Sequence, residues 1–159
     1  MNFLRLLSVL FFAVVSCKEP KIRFVETAKY QNLREEKLGE STYYLKIPST
    51  MFLDEARGKE GQLGYGLWLI DSTNRYTGSN AFIELESGNG IGDNGSIISP
   101  YTELARTHLL GKTVKWRISK EDKYLYATAN FGKLTLSASS RTREGLDSMI
   151  GIVATLSLR

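Results

Sequence analysis

Between Tyr43 and Ala138, apolar residues return again and again at every second position. That spacing constrains the fold more than any other feature of the chain. A period of two sends successive side chains to opposite faces of a strand, so one face of a sheet can be buried while the other meets water. Tyr43, Leu45 and Ile47 alternate with Tyr44 and Lys46, and Pro48 should end that strand because it has no donor for the ladder. Leu63, Tyr65, Leu67 and Leu69 share one face of the next clear strand, and Gly64 and Gly66 share the other with Trp68 and Ile70. Two glycines on one strand face predict close packing there, by a helix or by the aromatic ring of a neighbour. Ala81, Ile83 and Leu85 alternate with Phe82, Glu84 and Glu86. Three further strands carry Val114-Trp116-Ile118, Leu125-Ala127-Ala129 and Leu134-Leu136-Ala138. Glu121-Asp122-Lys123 and Asn130-Phe131-Gly132 are the expected hairpin turns between them. Met51 to Arg57 reads equally as a helical turn or a short strand.

Two segments depart from this period. Ser99-Pro100 has the form of a helix start, with serine as the cap and proline at the first helical position. Tyr101, Leu104, Ala105 and His108 then share a helical stripe, and Gly111 supplies a stop. Near the C-terminus, Leu146, Met149, Ile150 and Val153 follow helical spacing, with Leu156 one step out of phase. The predicted class is therefore α+β: an antiparallel sheet with a middle helix and a C-terminal helix packed on it. The stretch from Lys112 to Leu156 resembles the end of the PsbP-like domains, with a strand carrying Trp116, a hairpin and a closing helix. Tyr44-Leu45-Lys46-Ile47-Pro48 is similar to their first strand. The resemblance implies an α+β sandwich and says little about activity, since one fold hosts many functions.

The first residues read as an export leader. Arg5 provides a positive start, and Leu6 to Val15 form a short apolar run broken only by Ser8. A membrane-spanning helix needs about 20 apolar residues, whereas this run gives way to Lys18, Glu19, Pro20 and Lys21. A cleaved signal is the expectation. Val14-Val15-Ser16-Cys17 resembles the lipobox of bacterial lipoproteins, although Val14 stands where leucine is most usual. The resemblance implies cleavage before Cys17 and lipidation of its sulfur, so that residues 1–16 are a signal peptide. Residues 17–38 are then the lipidated cysteine with a tether or packed strap, and residues 39–159 a single α+β domain. Two acyl chains give stable anchoring where one binds only marginally.

Cys17 is the only cysteine. The mature chain can therefore hold no disulfide, thiolate metal site or cysteine nucleophile. Removing the leader takes away Arg5 and no acid, lowering the formal charge from +4 to +3. The charges are interspersed, without the basic stripe of a nucleic-acid-binding surface, and no nucleic-acid partner is expected.

No catalytic constellation emerges. His108 is the only histidine, and it reads as a core-edge side chain. Gly88-Asn89-Gly90-Ile91-Gly92 lacks the immediate helix and the lysine-serine pair of phosphate-binding loops. It reads as a surface loop, and Asp93 and Asn94 beyond it lack the spacing of an EF-hand. No cofactor or metal is expected. Arg57, Lys59 and Glu60 form a glycine-bounded polar loop that precedes Trp68, and these four residues are the candidate binding loop. Trp68, Trp116, Tyr124 and Tyr126 read first as core or sheet-face packing, with an aromatic binding surface as the alternative.

The functional expectation is a lipid-anchored protein of the bacterial envelope, at the outer membrane in preference to the inner, with its domain facing the periplasm or exterior. It would act as a binding or accessory module, of an inhibitor or immunity type among others, with another envelope protein as partner and the membrane as anchor. An enzymatic role is less expected. Two alternatives stay open on sequence grounds: an envelope hydrolase using Glu84, Glu86 or Asp71, and a carrier of a small apolar ligand held between helix and sheet.

Overall fold

The computed structural model describes residues 22–29, 32–57, 63–70, 76–85, 101 and 103–159, with backbone alone at 56, 57, 63, 69, 70 and 76. The described residues form eleven strands and one helix. In chain order these are β1 (Ile22–Phe24), β2 (Leu33–Lys37), β3 (Tyr43–Pro48), β4 (Met51–Arg57), β5 (Leu63–Ile70) and β6 (Tyr76–Leu85). They are followed by β7 (Glu103–Leu109), β8 (Lys112–Glu121), β9 (Tyr124–Phe131), β10 (Leu134–Ser140), α1 (Arg143–Val153) and β11 (Ser157–Leu158).

Eight strands make one sheet in the order β1-β7-β8-β9-β10-β6-β5-β4, and a second sheet has the order β11-β3-β2. Only β1 and β7 run parallel in the large sheet; every other pairing in either sheet is antiparallel. Helix α1 packs against β6, β9 and β10 of the large sheet and against β3 of the small one. The core lies between these layers. The large sheet contributes Met51, Leu67, Ile83, Ile118, Leu134 and Leu136, the small sheet Leu45 and Ile47, and the helix Leu146, Met149, Ile150 and Val153. All are buried.

The protein is therefore mostly β, and the α+β expectation is corrected. The middle helix read from Ser99-Pro100 through Gly111 is the error that matters. Residues 99 and 100 lie outside the described residues, and Leu104, Ala105 and His108 sit on strand β7, not on a helix. The stretch satisfies both periods at once. Ala105, Thr107 and Leu109 are buried, while Leu104, Arg106 and His108 face outward. What decides for the strand is its partner. Leu110 and Gly111 both have positive φ, 48° and 75°, the backbone of a two-residue hairpin whose twist suits the flanking strands. That turn sets β7 against β8 from Glu103↔Ile118 to Leu109↔Lys112. A sandwich with two helices, as the PsbP-like resemblance implied, is not formed. Met51–Arg57 is a strand, and the hairpin expected at Asn130-Phe131-Gly132 turns one residue later, at Gly132 and Lys133.

The C-terminal helix forms where the spacing predicts it. Thr142 caps it, accepting from the Gly145 amide at 3.1 Å. Arg143 would oppose the positive N-terminal end of the helix dipole, but its guanidinium bonds Glu103 at 2.5 Å. Residues expected as tether or strap join the fold from Ile22 onward: β1 enters the large sheet, β2 enters the small one, and Val25 and Leu38 are core residues. After β1 the chain crosses to the helix, where the Ala28 amide donates to the Gly151 carbonyl at 2.9 Å.

Candidate functional site

The large sheet has an inner face filled by the core and an outer face open to solvent. The second face carries the side chains left over for function. Reading across the register, Phe52, Trp68, Asn80, Ser139, Tyr126 and Ser119 form one row. The next row holds Asp54, Gly66, Phe82, Ser137, Thr128 and Arg117. Aromatic residues stand toward both sides of these rows, and small hydroxyl and amide side chains lie between. Neighbouring strands are about 4.8 Å apart, so Trp68 and Tyr126, three strands apart, stand roughly 14 Å from each other. The dip beside Tyr126 is a concavity of about 390 Å³ lined by Asn80, Tyr124, Tyr126, Thr128, Ser137 and Ser139.

Each wall is held in place by its neighbours. The Phe82 ring lies over Gly64, where a Cβ would come within 2.1 Å of it, and the Trp68 indole lies over Gly66, with Nε1 3.0 Å from the corresponding position. The close packing expected on the glycine face is thus met by aromatic rings. Trp68 and Tyr126 each keep 39% of their surface exposed. Tyr124 packs against Tyr126 with ring centroids 6.2 Å apart, and Arg141 both lies over the Tyr124 ring and donates to its hydroxyl at 3.1 Å. On the floor, the Ser139 hydroxyl donates to the Asn80 carbonyl oxygen at 2.9 Å. The surface combines broad aromatic area with several hydrogen-bonding groups. Such a mixture favours recognition over bond-making, because aromatics supply contact area and hydroxyls and amides supply orientation.

Of the predicted binding-loop residues, Trp68 reaches this face. Lys59, Glu60 and the Arg57 side chain lie outside the described residues, as do Cys17, Asp71, Glu86, Asp93, Asn94 and the Gly88–Gly92 loop. Trp116 belongs to the core, where its indole N–H donates to the Thr107 hydroxyl at 3.0 Å. Trp68, Tyr124 and Tyr126 share the outer face. Glu84 stands opposite Thr135 and Gly64, neither of them acidic. His108 is exposed on β7, 5.0 Å from the Phe24 ring centroid, with Nδ1 3.5 Å from the Thr113 hydroxyl. The buried pair Ser79 and Ser140, 2.8 Å apart, lies at the start of α1, where Ser140 also accepts from the Thr142 amide. Among the described residues no three His, Cys, Asp or Glu side chains group to hold a metal.

Beneath the helix, Leu146, Met149, Ile150 and Val153 have no accessible surface. A cavity beside them large enough for a ligand would leave them surface that a water molecule could touch, so the described core has no such space there. Sequence reasoning missed Asn80, Thr128, Ser137 and Ser139. The available signal was the outward alternation of Thr135, Ser137 and Ser139 against Leu134, Leu136 and Ala138, a strand whose solvent face is unusually rich in small hydroxyls. The chain matches no protein-family model and no curated relative.

Proposed function

We propose that this chain is a bacterial envelope lipoprotein, anchored through Cys17, whose domain binds another envelope protein on the outer face of its large sheet. The observation that carries the binding role is the concavity beside Tyr126, with one aromatic wall of Tyr124 and Tyr126 and a floor of hydroxyl and amide groups. The sequence supports the anchor: a leader too short to span, ending at the single cysteine. Outer-membrane residence, with the domain facing the periplasm or exterior, is part of the proposal. No helix among the described residues is long and apolar enough to cross a membrane.

The two parts separate in one experiment on the full chain in its native envelope. Cys17→Ser should leave the membrane fraction or accumulate as uncleaved precursor. A photo-crosslinking side chain in place of Tyr126 should capture one defined envelope protein. The same group in place of Lys133, on the hairpin at the far end of β9, should not. Normal fractionation of Cys17→Ser would refute the anchor. The absence of any adduct specific to position 126 would refute the binding face.

A further inference from the structure

We infer that the flank of the large sheet formed by β1, β7 and β8 lies against an anionic lipid surface, so that the anchored domain rests on its membrane instead of swinging free. The inference rests on the proposed lipidation of Cys17. Four residues separate Cys17 from Ile22, where the large sheet begins. Whatever their conformation, that span cannot exceed about 18 Å at 3.3–3.6 Å per residue. A lipid on Cys17 therefore holds the β1 edge close to the headgroups.

The side chains at that edge suit such a surface. Ile22 and Phe24, both 52% exposed, are large apolar residues on a strand that places them on the outer face. The register continues each of them into basic residues. Phe24 pairs with Arg106, which pairs with Lys115; Ile22 pairs with Leu104, which pairs with Arg117. Across these three strands neither row contains an acid. His108, two residues beyond Arg106 on β7, packs its ring beside that of Phe24. Apolar side chains that enter the headgroup boundary, flanked by cations that meet anionic lipid, are what holds a peripheral surface on a bilayer. Glu103 and Asp147 point the other way and pair with Arg23 on the inner side of β1, and the one acid on the outer side of these strands, Glu121, lies at the far end of β8, four residues beyond Arg117.

The test uses the chain beginning at Lys18, which carries no lipid and retains every core residue from Val25 onward. It is sedimented with vesicles of phosphatidylcholine alone and with vesicles containing equal parts of phosphatidylglycerol. Binding is expected only to the second, and should fall as salt is raised. Phe24→Ser combined with Lys115→Glu should lower partitioning by about tenfold or more, in line with the loss of an apolar contact and the reversal of a charge. Lys46→Glu, a charge reversal on exposed Lys46 of β3 in the small sheet, should leave it unchanged. Circular dichroism of each variant checks that the sheet is intact, which exposed positions should allow. No binding to phosphatidylglycerol vesicles, or equal losses in the double variant and the Lys46→Glu control, would overturn the inference. Mass spectrometry of Cys17 from native membranes reports on lipidation independently, so failure of the docking surface and failure of the anchor are told apart.

Discussion

Gly151 shows how a single hydrogen can be required in a helix that would otherwise prefer a methyl. Glycine lowers intrinsic helicity by about 1 kcal/mol relative to alanine. At this position, however, a Cβ would lie 2.8 Å from the Glu26 carbonyl oxygen and 3.3 Å from the Ala28 amide nitrogen. Both are backbone atoms, so no side-chain rotation relieves the clash. Gly151→Ala should therefore destabilise the protein by about 1–3 kcal/mol, the usual cost of overpacking, despite the propensity gain. A lowered denaturant midpoint checks this, and a raised one would show that the segment from Val25 to Ala28 yields freely. Trp116 poses the complementary case. It is buried, and its indole N–H has the Thr107 hydroxyl as acceptor at 3.0 Å. Thr107→Val keeps the shape and removes the acceptor, leaving a buried donor unpaired at a cost of about 1–3 kcal/mol. Thr107→Ser should recover most of that stability in the same unfolding measurement. Neither feature was legible in the sequence. It marked Gly151 as a weak helix residue and Trp116 as an inward strand residue, but both contacts come from segments distant in the chain or across a hairpin.

At the level of elements, the strands were legible where apolar and polar residues alternate without ambiguity, as in β3, β5, β6 and β8 to β10. β7 was not, because Leu104, Ala105 and His108 fit a helical stripe while Ala105, Thr107 and Leu109 fit a strand face. Local pattern cannot separate the two readings. The Leu110-Gly111 hairpin and ten-residue β8 do, and Leu-Gly is a weaker hairpin signal than Asn-Gly or Asp-Gly. β1 and β2 were missed because their few residues carry little periodic content, and their pairing with β7 and β3 is set by tertiary contact. The aromatic half of the candidate site was visible as Trp68, Tyr124 and Tyr126. Its polar floor required knowledge that β6, β9 and β10 are neighbours, an order the chain sequence does not announce. The C-terminal helix was legible because its apolar spacing is unambiguous, and the structure makes it part of the core. Full burial of an Ile, Leu, Met or Val side chain is worth roughly 1.5–3 kcal/mol. Leu146, Met149, Ile150 and Val153 are all at zero exposure, so together they rival the net stability of about 5–15 kcal/mol expected for a domain. Ile150→Asp should unfold the protein or make it aggregate. Deletion from Thr142 onward should abolish the cooperative thermal transition of the chain beginning at Lys18, and an unchanged transition would remove α1 from the core.

Taken as a whole, the molecule ties its N-terminal edge to its C-terminal helix through one cluster of charges. Arg23 on β1 donates to Glu103 of β7 at 2.7 Å and to Asp147 of α1, while Arg143 of α1 reaches the other oxygen of Glu103. Burial works against the Arg23 cation, but hydrogen bonds and charge from Asp147 and Glu103 outweigh it and raise its pKa above the ordinary arginine value. The guanidinium thus keeps its charge across the physiological range. Two backbone bonds continue the join: the Val25 amide donates to the Arg106 carbonyl at 2.8 Å and the Ala28 amide to the Gly151 carbonyl at 2.9 Å. If the anchor pulls on this edge, the clasp is what transmits the load to the core. Arg23→Gln keeps much of the side-chain volume and removes the charge, leaving Asp147 without its cation while Glu103 retains Arg143. The cluster is partly exposed, so the loss should stay near 1–2 kcal/mol, below the 3–5 kcal/mol of a fully buried pair. Local opening is the expected outcome, since segments with few buried contacts open at lower free energy than the core. Native-state hydrogen exchange should therefore show the Val25 and Ala28 amides exchanging about tenfold faster, while those of Trp116, Ile118 and Leu136 change little. If all five accelerate together, the edge unfolds only with the core, and the charge cluster is a global support instead of a local clasp.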